Sequence, residues 1–422
     1  MTPARAYAAL WATLGLTLVG CSSELSFGRL FDAGGASPDD AGQAVVPDAS
    51  AAFSCSQRGP LFDLSDGAPG ACGAGSRGFH YAACACEELV SMSTTFVDGF
   101  DSQVGAYAAG QHSGALATNR GLYLERAEIG GSVLIAGELG TPLTGDLSIG
   151  GNLHDQGPLQ GPYAVRVEGN AEVGGDVRVA ALRVAGSFAL ADDAALEVTA
   201  GAPAVVRTTV DIPPACSCSP LLDLATLIDA ASRDNDNAAI GLDPENGLKV
   251  FDAEREVELP CGRYYVGDIY AARALTVRVT GRVALYVQHG IVVENTAAFT
   301  VVLENAAELD LFVAQGIAAS GPVSIGSPGT PTRARLHFGA TDSLNFRAPT
   351  LLATSLYAPR SELVAQGGFE LFGAALLRRI ASGALTLHYD RALARDPCSA
   401  ARCTTSKDCA DGLRCDGARC LP

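Results

Sequence analysis

Six histidines and thirteen cysteines are the side chains of this 422-residue sequence with the most obvious chemical potential. The histidines are His80, His112, His154, His289, His337 and His388. The most suggestive run is His388-Tyr389-Asp390, since an imidazole, a phenol and a carboxylate side by side can share protons. On a strand, however, neighbouring residues point to opposite faces, so a structural hydrogen bond at the last coil is the expectation there. No histidine sits in an H-E-x-x-H motif, and there is no G-x-S-x-G elbow and no phosphate-cradling glycine loop. Asp234–Asn237, "DNDN", has the start of a calcium loop without its glycine or distal glutamate, and reads as an Asx-rich turn ending a helix. Asp39-Asp40 lies in a polar linker and reads as a solvated pair. No catalytic residue, metal or cofactor is expected.

The cysteines carry more information. Cys21 follows an apolar run from about Ala6 to Val19, preceded by Arg5 and too short to span a bilayer comfortably. The stretch Leu18-Val19-Gly20-Cys21 resembles the lipobox of bacterial lipoproteins. That resemblance implies cleavage before Cys21, acylation of the new terminus and, with Ser22 and Ser23 following, an outer-membrane destination. Removing Cys21 from the thirteen leaves an even set: Cys55, Cys72, Cys84, Cys86, Cys216, Cys218, Cys261, Cys398, Cys403, Cys409, Cys415 and Cys420. In an exported protein these are disulfide candidates. The C-x-C pairs Cys84/Cys86 and Cys216/Cys218 make rings too small to close on themselves, so each should bridge to a distant partner. If the last four cysteines pair among themselves, Cys398 must pair back into the body. The C-terminal group has no C-x2-C spacing and no histidine, which argues against zinc.

Net charge is −17, which excludes nucleic acid as an electrostatic partner. Forty-eight glycines, without the collagen period, suit a β structure with many tight corners. Phe31 to Phe53 is Ala, Gly, Asp, Pro and Ser without apolar periodicity, a flexible acidic tether behind the anchor. No later apolar run is long enough to cross a membrane.

The elements that must position these residues are short strands. In "VRVEGNAEVGGDVRVAALRVAGSFAL" apolar residues fall in i, i+2 pairs: Val165/Val167, Ala171/Val173, Val177/Val179, Leu182/Val184 and Phe188/Leu190. The pairs step by six residues with one step of five. Two inward residues per strand followed by a glycine or Asx corner is the unit of a parallel β-helix, in which coils stack because none can bury its own apolar face. A second repeat aligns "VALYVQHGI" from Val283 with "LDLFVAQGI" from Leu309, one larger coil apart. Between the blocks, Ser219 and Pro220 read as the start of a helix carrying Leu221, Leu224, Leu227 and Ile228 near one face. The expected fold is therefore all-β: a parallel β-helix (solenoid) with a short helical insertion and a small disulfide-rich tail. The expected segments are a signal peptide (1–20), tether (21–54), Cys-containing N-terminal cap region (55–120), first coil block (121–210), helix-containing insertion (211–260), second block (261–393) and Cys-rich tail (394–422).

Thr354 to Leu393, with its "YAP" turn, "FGA" step and terminal "HYD", resembles an uncharacterised bacterial surface domain that in many members follows a PilX-type pilus-assembly segment. The resemblance covers roughly Cys261 to Leu393. The first block is similar to bactofilin-like β-helices. Together these imply an envelope location and a β-helical fold with no known catalytic residues. The expected function is thus a non-enzymatic, lipid-anchored surface protein for adhesion, scaffolding or envelope interaction. Its partners would be the membrane through the lipid on Cys21, and an extracellular glycan or another envelope protein. The rival is a carbohydrate-active β-helix enzyme, a polysaccharide lyase or hydrolase, which would be marked by three or more carboxylates with a basic residue in one lateral groove. Outward arginines such as Arg278 and Arg282 could meet acidic glycans or serve only as solubilising charge.

Overall fold

A computed structural model describes residues 79–394 except 111–112 and 220–221, together with the backbone of a short antiparallel pair, Arg414–Cys415 with Cys420–Leu421. Cys21, Cys55, Cys72, the tether, His112 and the pairing of the tail cysteines lie outside the described residues.

The body is a parallel β-helix. Its strands pair in parallel register and form three lateral sheets around one continuous apolar core. The six-residue steps of the first block are its corners: Ala171–Val173 lies on one face, Val177–Val184 runs along the next two, and Phe188–Leu190 returns to the first, where it stacks on Ala171–Val173 one coil on. In the second block the coils are longer. Val283 pairs with Leu309, Leu285 with Leu311, Tyr286 with Phe312 and Val287 with Val313, the register read from the repeat. The inward positions of one sheet make ladders of buried aliphatic residues, as alternation on a half-buried strand requires.

The order of coils along the axis is not their order along the chain. β1 (Ala83–Ala85) and β2 (Glu88–Phe100) lie between the two blocks. On one side β1 pairs with Ala375–Leu377, and β2 pairs with Leu385–Asp390 from Thr95↔Leu385 to Phe100↔Asp390. On the other side β1 pairs with Leu116–Thr118 and β2 with Gly121–Ile129. One inward ladder therefore runs Leu285–Leu311–Leu336–Leu356–Ala375, passes through Ala83, and continues Leu116–Val133–Leu153–Ala171. From Ala83 the described chain starts mid-solenoid, winds outward to Val205–Arg207, returns to the far end, and winds back until the coil ending at Asp390 seals against β1 and β2. Ala83–Ala85, Glu88–Phe100 and Leu116–Thr118, within the segment expected as a cap region, are coil strands at this seam.

The return segment, 208–219, lies along the outside. Ile212 N donates to Gln156 Oε1 at 2.7 Å, and Cys216 N to Asn119 Oδ1 at 3.0 Å. Helix α1 (Leu224–Arg233) then covers the outer face of three second-block strands with Leu224, Ile228 and Ala231, packed on Ala284, Tyr286 and Phe312. The helix is capped by Asp223, whose side chain accepts from Thr226 N, and not by Ser219 as the Ser-Pro pair suggested. Asp223 supplies the oxygen that the orphan amides need closer to the apolar stripe. The "DNDN" run terminates α1 as an Asx turn: Asn235 Nδ2 donates to Ala231 O at 2.9 Å, and Asn237 N to Asn235 Oδ1 at 3.2 Å. The short helix α2 (Asn237–Ile240) leads to Leu242 and Leu248, which join the core at the second block's far end.

Candidate functional site

The seam gathers the most concentrated set of titratable side chains. Strand Leu385–Asp390 sends Tyr389 inward, where its hydroxyl donates to Phe79 O at 2.9 Å. His388 points outward, as alternation demands. Its Nδ1 lies 2.6 Å from Asp98 Oδ1 on β2, and its Nε2 lies 3.2 Å from Glu370 Oε1 on strand Phe369–Ser382. Tyr107, on the segment after β2, donates its hydroxyl to the other oxygen of Asp98 at 2.8 Å. Phe372 stacks on the imidazole with centroids 4.3 Å apart, and the Tyr107 ring lies 4.4 Å from it. The ring is only 4% exposed. Burial alone would depress the imidazole pKa, but the hydrogen bonds and charges of Asp98 and Glu370 outweigh it and hold the pKa above the ordinary histidine value. The two ring nitrogens of His388 thus tie its strand to β2 and to the preceding coil. Asp390 acts separately: its Oδ1 accepts from Ser102 N and Ala392 N, each at 3.0 Å. The three residues of the "HYD" run do not form one proton relay.

Gly373 lets this arrangement exist. Its φ is +130°, and a Cβ there would lie 2.1 Å from Thr354 O on the preceding coil. The corner next to Phe372 therefore needs a residue without a side chain.

Elsewhere, charges are matched across coils. Arg378 and Arg379 face Glu87, Glu88 and Glu362, with Arg379 Nη1 to Glu362 at 3.0 Å and Arg379 Nε to Glu88 at 3.5 Å. This is the nearest approach to a carboxylate-rich lateral groove, yet its acids are ion-paired to two guanidinium groups and two of them tie across the seam. Arg278 is held between Glu256 (2.8 Å) and Glu304 on adjacent coils, which raises its pKa, so it is committed to an ion ladder. Arg335 is held likewise by Asp310 and Glu308. Arg282 is exposed. A shallow surface groove is lined by Gly161, Pro162, Val179, Val198 and Thr199, with Arg178 in it paired to Asp176 and Glu197. His154 meets Glu172 at 2.9 Å, while His80 and His289 are exposed. His337 is buried in an outward aromatic ladder between Phe312 and Tyr357, and burial brings its pKa down to about 4, so it is neutral. Among the described residues no group of three or more His, Cys, Asp or Glu side chains is placed to hold a metal ion.

The C-x-C pairs bridge to each other: Cys84 to Cys216 and Cys86 to Cys218. Both fasten the return segment to the seam coil. Cys261 is also disulfide-bonded. Asp98, Tyr107 and Glu370 carry no sequence signal. Asp98 and Tyr107 lie far from His388 in the chain and only the seam register brings them to it, whereas Glu370 comes from the preceding coil of the same block. Asp155 was likewise unmarked. It faces the apolar core, accepting from Thr141 Oγ1 (2.7 Å) and Gly157 N (3.0 Å), and burial pushes its carboxyl up to about 8.

Residues 206–396 match a family model described as a domain of unknown function (DUF7305). The matched stretch contains the return segment, α1 and the whole second block, and its last strands are sealed by β1 and β2, which lie outside it. The chain matches none of the curated proteins and none of the solved structures. Among the described residues no helix is long and apolar enough to cross a membrane.

Proposed function

We propose that the chain is a non-enzymatic, lipid-anchored protein of the cell envelope whose β-helical body serves as a stalk for adhesion, scaffolding or envelope interaction. The observation that carries this reading is the seam. A chain that seals its last coil onto its first, and staples the return segment there with two disulfides, makes one stiff body from two blocks. That suits a part that holds position and transmits load. The group with most catalytic promise supports the same reading: both ring nitrogens of the buried His388 are engaged by carboxylates of the protein rather than turned toward a substrate. Cys21, in its lipobox-like setting, supplies the anchor, and the acidic tether separates the body from the bilayer. The resemblance to a pilus-associated surface domain supports an envelope or cell-surface location, with a glycan or another envelope protein as ligand.

Two measurements test the proposal. Radioactive fatty acid should label the wild-type chain in cells and not Cys21→Ala, and equal labelling would remove the anchor. Purified protein should leave acidic polysaccharides unchanged, and turnover would replace the stalk with the enzyme.

A further inference from the structure

The segment Asp101–Gly110 lies over the seam. Its root is fixed by Ser102 N on Asp390 Oδ1 (3.0 Å) and by a turn in which Val104 N donates to Asp101 O (2.9 Å). Beyond the root, Val104 is 79% exposed, and Tyr107 seats the outer part against the body. The Tyr107 ring packs edge-on to Phe100 and Phe372, with centroids at 5.5 and 5.3 Å, and its hydroxyl bonds Asp98. Asp98 is 2% exposed, and its partner beneath it is His388.

We propose that Asp101–Gly110 is a proton-operated latch, docked on the seam while His388 is an imidazolium and released when the imidazole becomes neutral. The groups facing the imidazole are Asp98 from β2, Glu370 from strand Phe369–Ser382 and Tyr107 from the segment itself. At the segment's root, Asp101 takes part in the turn, Asp390 binds backbone amides, and Arg391 Nε reaches Phe100 O at 3.4 Å. A neutral imidazole can donate to only one carboxylate. Glu370, partly exposed, can turn to water, whereas Asp98 is buried and loses the charged partner beneath it, a costly change. Tyr107 covers Asp98 through its hydroxyl bond and packs on Phe100 and Phe372, so lifting the segment would open the carboxylate to water and uncover both rings. The sign follows from the imidazole pKa being raised: the docked state is fully held at acid pH and is lost as pH rises through the raised value.

The test is chymotryptic cleavage after Tyr107 in the folded full chain, expressed relative to a tyrosine-containing reference peptide at each pH. Losing a charge-assisted contact should raise relative cleavage by roughly tenfold or more between pH 6 and pH 9. His388→Gln should cleave fast at every pH with no titration. Glu370→Gln, which keeps the Asp98 contact but removes one stabiliser of the proton, should move the midpoint to lower pH. A flat wild-type profile, or a His388→Gln profile that titrates like wild type, overturns the latch. Where His388→Gln loses its far-UV dichroism, Glu370→Gln decides alone, and an unmoved midpoint overturns it.

Discussion

The paired disulfides make a quantitative prediction about how the return segment is held. Cys84–Cys216 spans a sequence separation of 132 residues. Closing a loop of that size in the unfolded chain is worth about 5 kcal/mol at 25 °C by the chain-entropy relation. Once it is closed, Cys86–Cys218 adds only a ring of a few residues between the two C-x-C pairs, worth about 2 kcal/mol at most by the same relation. By symmetry the same holds when Cys86–Cys218 is formed first. Either single-pair variant, Cys84→Ala/Cys216→Ala or Cys86→Ala/Cys218→Ala, should therefore lose roughly 2 kcal/mol. The quadruple variant should lose about 7 kcal/mol, far more than the sum of the two single-pair losses. Equilibrium urea unfolding followed by far-UV circular dichroism measures all four proteins, with the m-value of the quadruple variant rising as its unfolded chain expands. A quadruple variant as stable as wild type, or a single-pair variant as unstable as the quadruple, would refute the staple.

Other outcomes follow from buried groups. Asp155, protonated in the core up to about pH 8, contributes stability that is fully present below the ordinary carboxylate range and is lost as pH rises through its raised value. Unfolding free energy should fall with a slope of up to about 1.4 kcal/mol per pH unit across that window, and Asp155→Asn should flatten it. An Asn variant with the wild-type slope would contradict this. Gly373→Ala should cost about 2 kcal/mol or more and lower the thermal midpoint, because the new Cβ meets a carbonyl on the preceding coil. An unchanged midpoint would show that the corner can relax. Leu311→Ala, at a fully buried ladder position, should cost about 2–5 kcal/mol in the same urea assay.

What the sequence makes legible is local. The six-residue step of Val165 to Leu190 already encodes three faces per coil, and the aligned Val283 and Leu309 repeats give the register because identical coils stack in phase. The C-x-C pairs could be assigned to distant partners because their own rings are too small. The seam is not legible. Thr95 and Leu385 carry no complementary mark, since any strand with two inward apolar residues can stack on any other, and parallel register is fixed by the whole solenoid. The His388 cluster inherits that blindness, because its carboxylates come from β2 and from the preceding coil. The helix start was misplaced for a smaller reason: Ser219-Pro220 has the composition of an N-terminus, but Asp223 is the residue whose oxygen meets the orphan amides.

The claim on which the rest depends is that β2 is an interior strand sealed on both sides, and hydrogen exchange by mass spectrometry tests it directly. Amides of Thr95–Phe100 and Leu385–Asp390 should exchange as slowly as those of Glu308–Val313, deep in the second block, because each is bonded within a stack of coils. Fast exchange in Thr95–Phe100, with slow exchange retained in Glu308–Val313, would mean the two blocks are separate solenoids and the seam is open.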